Sequence, residues 1–170
     1  SSDLMEFPLK KIQKKIFNEK SLSHFLKKRK DKKIVFTNGC FDLLHYWHIF
    51  YLAQASKLWD LLFVWINSNS SITKIKGDNR PINDEQSRIY QIASLEFIDG
   101  VILFQEETPI NLLQLIKPDV LVKGWDYWKK EVVGWELIKK YGGKVVVTSL
   151  IPGFSTTNIE KKILKWISKN

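Results

Sequence analysis

Cysteine and long apolar runs are what this sequence lacks most clearly. Its one cysteine, Cys40, excludes an internal disulfide and suits a reducing compartment. No apolar run reaches the roughly 18 residues that a membrane-spanning helix needs. The first residues, SSDLMEFPLKK, lack the charged, apolar and small-residue blocks of a signal peptide. These absences predict a soluble, cytoplasmic protein with no membrane partner.

Positive charge is concentrated near the start of the 170-residue chain. Residues 9–33 contain eleven Lys or Arg and two acids and carry the whole net charge of +9, whereas the remainder is balanced. We therefore predict a basic N-terminal arm or helix over residues 1–33 and one domain over residues 34–170, with 44% hydrophobic residues in the chain to form a core.

The basic arm allows two interpretations. It can bind nucleic acid or another acidic surface. Six apolar residues at broadly helical spacing instead favour an amphipathic helix packed on the domain: Ile12, Ile16, Phe17, Leu22, Phe25 and Leu26. We favour the packed helix and do not expect nucleic acid to be a partner.

Short apolar runs alternate with helix-like segments after residue 33. The runs predict strands at residues 34–37, 61–67, 100–104, 119–122 and 145–149. Periodicity and capping residues predict helices at residues 46–58, 84–95, 108–116, 131–141 and 155–168. This alternation predicts an α/β fold, a doubly wound, Rossmann-like, parallel five-stranded sheet with helices on both faces. Ligands of such sheets bind beyond the carboxyl ends of the strands.

Two histidines follow the first predicted strand, in the stretch TNGCFDLLHYWH (residues 37–48). His45 and His48 fall on one face of a first helical turn, where free backbone N–H groups and the helix dipole favour an anion. Gly39 would let the chain turn sharply toward a ligand. The pair indicates a phosphate site. The alternatives are two solvent-facing histidines, or a metal held by Asp42 and both histidines.

Polar stretches follow three other strands. Residues 67–83, NSNSSITKIKGDNRPIN, resemble a loop that folds over a polyphosphate with the cations Lys74, Lys76 and Arg80. Arg88 lies four residues after Asp84 on a helix, and can equally form an ordinary surface pair. KGWDY (residues 123–127) places Lys123 and Gly124 at a strand end, where they suit substrate phosphate. In PGFSTTN (residues 152–158), the hydroxyls at a helix start can either cap that helix or hold a phosphate: Ser155, Thr156 and Thr157.

Together these stretches resemble the nucleotidyltransferases marked by His-x-Gly-His and a late Ser-Thr-Thr, a family that includes the cytidylyltransferases. The matching segments, IVFTNGCFDLLH, KGDNRPIN, PDVLVKG-x-DY and PGFSTTNIE, span about residues 34–160. IVFTNGCFD, RPIN and LVKG-x-DY favour the branch of heptose 1-phosphate adenylyltransferases over the cytidylyltransferase branch.

The resemblance implies that a phosphate oxygen of D-glycero-β-D-manno-heptose 1-phosphate attacks the α-phosphorus of ATP, so that ADP-heptose forms and pyrophosphate leaves. It implies Mg²⁺ held mainly by the ATP phosphates, and assembly into homo-oligomers. The catalytic residues would be His45, His48, Lys76 and Lys123. The nucleotide site would comprise Thr37, Asn38, Gly39, Cys40, Phe41, Asp42, Asn67, Arg80, Arg88, Gly124, Asp126, Tyr127, Ser155, Thr156 and Thr157.

Four tryptophans occupy positions where this family has glycine or another small residue: Trp47, Trp59, Trp65 and Trp125. We expect Trp47 to block ATP or to swing aside and stack on its base. At Trp59 we expect backbone strain of about 1–2 kcal/mol in a left-handed helix cap. Trp65 and Trp125 would fill the cleft. Asn69 also replaces the usual aspartate.

Two hypotheses for function therefore stand beside each other. The first is an active adenylyltransferase, since the histidines, cations and Ser-Thr-Thr are in place. The second is a non-catalytic relative whose cleft is filled by indoles. A cytidylyltransferase acting on another sugar or polyol phosphate remains a further alternative.

Overall fold

The computed structural model describes residues 2–105, 110–124, 132–148 and 153–169. These residues contain six strands and eight helices. The strands are β1 (Ile16–Phe17), β2 (Ile34–Gly39), β3 (Leu61–Asn67), β4 (Gly100–Phe104), β5 (Val120–Lys123) and β6 (Lys144–Val147). The helices are α1 (Ser2–Gln13), α2 (Glu19–Lys27), α3 (Tyr46–Ser56), α4 (Asn69–Lys76), α5 (Glu85–Ala93), α6 (Ile110–Ile116), α7 (Trp135–Lys140) and α8 (Thr156–Ile167). Within those residues, no helix combines the length and apolarity needed to cross a bilayer.

The strands form one parallel sheet in the order β1-β4-β3-β2-β5-β6. The chain proceeds outward from β2 through β3 to β4, then returns to the other side of β2 to place β5 and β6. The direction of winding therefore reverses between β2 and β5, and a crevice is expected at their carboxyl ends. The predicted doubly wound α/β fold is confirmed, with six strands where five were predicted.

Both faces of the sheet are covered. Val35 and Val64 point into a cluster with α3 and α5, and Phe36 and Phe63 point into a second cluster with α2, α6 and α7. Because successive residues of a strand face opposite sides, a strand covered on both faces needs apolar residues at every position. This is why the central strands are visible in the sequence as continuous apolar runs.

The sixth strand comes from the basic N-terminal segment. Ile16 pairs with Val101 and Phe17 with Ile102, so β1 lies at the edge of the sheet beside β4. The apolar residues of this segment pack as predicted on the two core clusters: Ile12 and Ile16 on the first, and Phe17, Leu22, Phe25 and Leu26 on the second. The continuous helix expected here is instead two helices separated by a two-residue strand.

Residues 69–76 are helical, although the sequence predicted a loop. Ser68 caps α4 by accepting a hydrogen bond from the backbone N–H of Ser71, and Gly77 ends it with a φ of 94°. Such a cap and a glycine terminator are standard helix boundaries. The helices predicted at residues 108–116 and 131–141 begin outside the described residues, and their described parts are α6 and α7.

Trp59 does not occupy a strained backbone position. Helix α3 ends at Ser56, and its cap residue, Lys57, has an ordinary right-handed φ of −80°. Among described non-glycine residues, positive φ occurs at Phe41 and Lys117. The ammonium group of Lys33 lies 4.0 Å from the centre of the Trp59 ring, a favourable cation–π contact. The expectation of backbone strain at Trp59 is therefore wrong, because α3 ends earlier than the sequence predicted.

Truncating Leu22 tests whether α2 belongs to the core. Leu22 is fully buried, and we expect Leu22→Ala to lower the free energy of unfolding by about 2–5 kcal/mol, because a cavity replaces the lost side chain. Urea denaturation measures this change. Leu9→Ala, at a position 51% exposed, is the matched control and should change stability by about 0.5 kcal/mol or less. Equal stability of the two variants would mean that α2 does not contribute to the core.

Candidate active site

A cleft of about 350 Å³ lies at the carboxyl ends of β2, β3 and β5. It is the crevice expected at the reversal of strand order. Eleven of the predicted site residues line it: Asn38, Gly39, Cys40, Phe41, Asp42, His48, Asn67, Lys76, Lys123, Gly124 and Thr156. Asp126 and Tyr127, like Trp125, lie outside the described residues. The fold thus brings most of the predicted residues to one place.

The two histidines stack at the amino end of α3. Their ring centres are 3.8 Å apart with planes 24° from parallel, and His48 faces the cleft. The backbone N–H of His45 donates to Nδ1 of His48 at 3.4 Å. Because Nδ1 accepts this hydrogen bond, the neutral His48 ring carries its proton on Nε2. His48 is therefore set up as a hydrogen-bond donor.

Both imidazoles are held in the neutral form. Burial, with smaller contributions from the neighbouring His45 and the positive charge of Lys76, lowers the pKa of His48 to about 3, although a hydrogen bond with the Leu43 backbone opposes this shift. Burial also lowers the pKa of His45 below its ordinary value. Two protonated rings stacked at this distance would repel each other, and both rings are half-buried, which disfavours the charged form. At neutral pH the pair is therefore uncharged, and its ring N–H groups are available as hydrogen-bond donors.

Asp42 organises the loop that follows α4. Its buried carboxylate accepts hydrogen bonds from the backbone N–H groups of Ile82 at 2.8 Å and Asn83 at 2.9 Å, and from Nη1 of Arg80 at 3.2 Å. The described residues contain no group of three or more His, Cys, Asp or Glu able to hold a metal. The carboxylate of Asp42 is thus engaged in fixing the loop, which does not favour the alternative metal site.

Arg88 is buried completely, contrary to the interpretation as an ordinary surface pair with Asp84. Its guanidinium donates to four acceptors, the carbonyl oxygens of Cys40, Asn67 and Asn83 and the side-chain oxygen of Asn69. These bonds measure 2.7–3.0 Å. Arg88 therefore ties the carboxyl ends of β2 and β3 to the start of α4, from behind the cleft.

Lys123 is buried at the end of β5, and its ammonium group donates to the side-chain oxygen of Asn38 at the end of β2. Both residues line the cleft. Thr37 lies one position further back, fully buried, with its hydroxyl 3.2 Å from that of Tyr51. Lys123 thus places a cation at the floor of the cleft, whereas Thr37 supports the wall from within.

Two helix ends complete the rim. Lys76, at the last turn of α4, and Thr156, the first residue of α8, both line the cleft. The Ser155 hydroxyl accepts from the backbone N–H of Asn158 at 3.1 Å, so it caps α8. Thr157 is exposed. Of the three hydroxyl residues, Thr156 is therefore the one placed on the cleft wall.

Among the described tryptophans, Trp47 lines the cleft. Its indole stacks on Tyr51, with ring centres 5.0 Å apart, and lies 5.8 Å from the ring of His48. Trp65 was expected to fill the cleft as well, but this expectation is wrong. Its side chain is 3% exposed and packs edge-to-face on Phe36, on the sheet face that carries α2, α6 and α7.

Three lining residues were not predicted from the sequence: Tyr51, Ile75 and Val133. Tyr51 follows His48 by three positions on the same helix, so helical spacing alone places it beside the histidine. Val133 follows a segment outside the described residues, and no sequence pattern marks it.

Comparison with known proteins identifies the family of this chain. A family model described as cytidylyltransferase-like matches residues 36–162. The bifunctional protein HldE of Syntrophotalea carbinolica is 48% identical over 139 residues, 82% of this chain and 28% of the relative. The bifunctional protein HldE of Campylobacter fetus is 50% identical over 135 residues, 79% of this chain and 29% of the relative. The chain thus spans under a third of the length of these curated relatives.

Solved structures agree on the fold. A lipopolysaccharide core biosynthesis protein from Thermoplasma volcanium superposes with a TM-score of 0.57 at 32% identity, covering 71% of this chain and 97% of that one. Pantoate-beta-alanine ligase from Francisella tularensis, at 20% identity and a TM-score of 0.57, shares the fold alone. The resemblance drawn from the sequence motifs is confirmed, and the chain belongs to the cytidylyltransferase-like family of nucleotidyltransferases.

Proposed function

We propose that this nucleotidyltransferase transfers AMP from ATP to D-glycero-β-D-manno-heptose 1-phosphate, giving ADP-heptose and pyrophosphate. The observation that carries the proposal is the neutral histidine pair at the amino end of α3, beside the cations Lys76 and Lys123. The motifs that favour the heptose branch, and the sequence identity to the HldE proteins, support heptose 1-phosphate as the acceptor and ATP as the nucleotide. A cytoplasmic location and homo-oligomeric assembly remain predictions.

The reaction is a substitution at phosphorus. A new bond forms between an oxygen of the sugar phosphate and the α-phosphorus of ATP. The bond from the α-phosphorus to the oxygen that bridges it to the β-phosphorus breaks, and pyrophosphate leaves with that oxygen. Negative charge accumulates on the oxygens of the reaction centre, and the protein lowers the barrier by alignment and by hydrogen-bond donors and cations aimed at that charge. His48 fits this task because its Nε2–H donates a hydrogen bond, while the neutral ring does not readily gain a second proton.

The two lysines play different parts in this proposal. Lys123 is buried and already bonded to Asn38, so its ammonium group is fixed in position before the substrate arrives. Lys76 is exposed at the end of α4 and can adjust to the phosphates. A fixed cation aligns the reaction centre, whereas a mobile one neutralises the charge of the leaving pyrophosphate. The amino ends of α3 and α8 add favourable dipoles.

Mg²⁺ would be held mainly by the phosphates of ATP. The carboxylate of Asp42 is engaged by Arg80, Ile82 and Asn83, and the described residues provide no cluster of metal ligands. Mg²⁺ commonly binds substrate phosphates and water with few protein ligands. When bound, the ion would neutralise part of the polyphosphate charge.

A non-catalytic relative is the second candidate, and Trp47 is the observation that favours it. Of the three described tryptophans at family glycine positions, Trp59 and Trp65 are absent from the cleft lining, whereas Trp47 lines it. The cleft retains about 350 Å³ with the indole in place. Ligand sites typically hold roughly 300–1,000 Å³, so the remaining space is at the small end for a nucleotide.

Pyrophosphate release tests the proposed function directly. With Mg²⁺ and heptose 1-phosphate, we expect the chain to release pyrophosphate from ATP at least about tenfold faster than from CTP, equivalent to about 1.4 kcal/mol of discrimination. The enzyme-coupled assay is run with each nucleotide and without sugar as a blank. A preference for CTP would replace the proposal with a cytidylyltransferase. Absence of release with either nucleotide would favour the non-catalytic relative.

Removing the His48 imidazole should abolish most of the turnover. We expect His48→Ala to lower kcat by a factor of about 100 or more, since a donor aimed at the reaction centre is typically worth this much. Steady-state kinetics measures kcat, and circular dichroism checks the fold. His24→Ala, at an exposed position on α2, is the control and should behave as the unchanged chain. Near-normal turnover in His48→Ala would remove the assigned role.

Trimming Trp47 tests whether the indole restricts the cleft. We expect Trp47→Ala to lower KM for ATP about threefold or more, because the smaller side chain opens space for the nucleotide (~0.7 kcal/mol). Trp166→Ala, which removes a 67% exposed indole outside the cleft, serves as the control. A higher KM in Trp47→Ala would show instead that the indole contacts the nucleotide and contributes to its binding.

A further inference from the structure

Arg80 connects three segments around the cleft. Its Nη1 donates to the carboxylate of Asp42 at 3.2 Å, and its Nη2 donates to the carboxylate of Glu160 on α8. Its carbonyl oxygen accepts a hydrogen bond from the hydroxyl of Thr73 on α4 at 2.7 Å. One residue therefore joins the loop after β2, the helix that ends in Lys76, and the last helix of the chain.

The charge of Arg80 is already neutralised by its partners. Asp42 and Glu160 together carry two negative charges against one positive, so the cluster as a unit does not attract a polyphosphate. Asp42 is also fixed by the backbone of Ile82 and Asn83, which leaves Arg80 little freedom to turn away. Arg80 is absent from the cleft lining. Its geometry is that of a structural link, unlike the phosphate-binding role that the resemblance implies.

Apolar burial on helix α8 is limited, so the ion pair with Arg80 is a main contact of its first turns among the described residues. None of its described side chains is buried, and several large apolar ones are exposed: Ile163, Leu164, Trp166 and Ile167. Thr156, which lines the cleft, and Glu160 lie four residues apart and so on the same face of the helix. The ion pair between Arg80 and Glu160 therefore lies on the face of α8 that borders the cleft, next to its first turn.

We propose that Glu160 is a positioning residue, which holds the amino-terminal turn of α8 against the cleft through Arg80. The inference rests on the proposed nucleotidyl transfer, in which that turn and Thr156 face the phosphates of the nucleotide. Glu160 touches no substrate in this arrangement. It fixes the position of the first turn of α8, and thereby the alignment of the helix dipole and the Thr156 hydroxyl with the phosphates.

Hydrogen exchange on the protein without nucleotide tests the placement of α8. In Glu160→Gln, which keeps the shape of the side chain and removes its charge, we expect amides in the first two turns of α8 to exchange about three- to fivefold faster, the effect typical of a partly exposed ion pair. Lys161→Gln removes a neighbouring exposed charge from the same helix and should leave exchange unchanged. Equal exchange in the two variants would overturn the proposal.

Kinetics then separates positioning from simple electrostatics. We expect Glu160→Gln to raise KM for ATP about three- to fivefold with kcat within about twofold of the unchanged chain. If Glu160 acted only by neutralising the charge of Arg80, removing the Glu160 charge would free that cation for the phosphates and lower KM for ATP. A KM that falls or stays constant in Glu160→Gln would therefore overturn the inference. A chain that releases no pyrophosphate would overturn the proposed function instead, while the exchange comparison would still decide the placement of α8.

Discussion

The buried guanidinium of Arg88 is the constraint on which the cleft depends. At the ends of parallel strands some carbonyl groups have no partner on a neighbouring strand, and burying them without partners is costly. Arg88 satisfies the carbonyls of Cys40 and Asn67 at the ends of β2 and β3. Burial lowers its pKa from the ordinary value, yet an arginine starts so high that it stays charged. The charge strengthens each of these hydrogen bonds.

The same residue fixes the segments that carry the chemistry. By bonding the side chain of Asn69, Arg88 sets the start of α4, and α4 carries Lys76 to the rim of the cleft. By bonding the carbonyl of Asn83, it sets the loop whose backbone N–H groups hold Asp42. The polar groups around the cleft are thus held by one another, while His48, Lys76 and Thr156 approach from the ends of α3, α4 and α8.

The sequence predicts the central strands well because both faces of the sheet are covered, which forces apolar residues at every position. It does not show β1, since two residues are too few to form a pattern and their pairing with β4 is a long-range contact. The role of Arg88 was equally hidden. Asp84 offered a local partner at helical spacing, whereas three of the true acceptors are main-chain carbonyls, which no sequence displays.

The direction of Trp65 could have been inferred, because it lies two residues from Phe63 on one strand and so shares its face. Trp59 was misjudged for a different reason: the expected strain assumed a helix that continued to residue 58, and α3 ends at Ser56. Errors of two residues in a boundary thus change a conclusion about backbone conformation, although they leave the fold unchanged.

Burial of His48 is both the source of its chemistry and a restriction on the cleft. The aromatic residues around it, Phe41 and Trp47 among them, exclude water and keep the imidazole neutral. A bound polyphosphate would bring negative charge to the ring and raise the pKa of His48, which would partly offset this desolvation. Both the neutral ring with its proton on Nε2 and the protonated ring carry an N–H at that nitrogen, so His48 keeps its donor in either state. Trp47 therefore affects nucleotide binding through the space it occupies, while the donor character of His48 withstands changes around it.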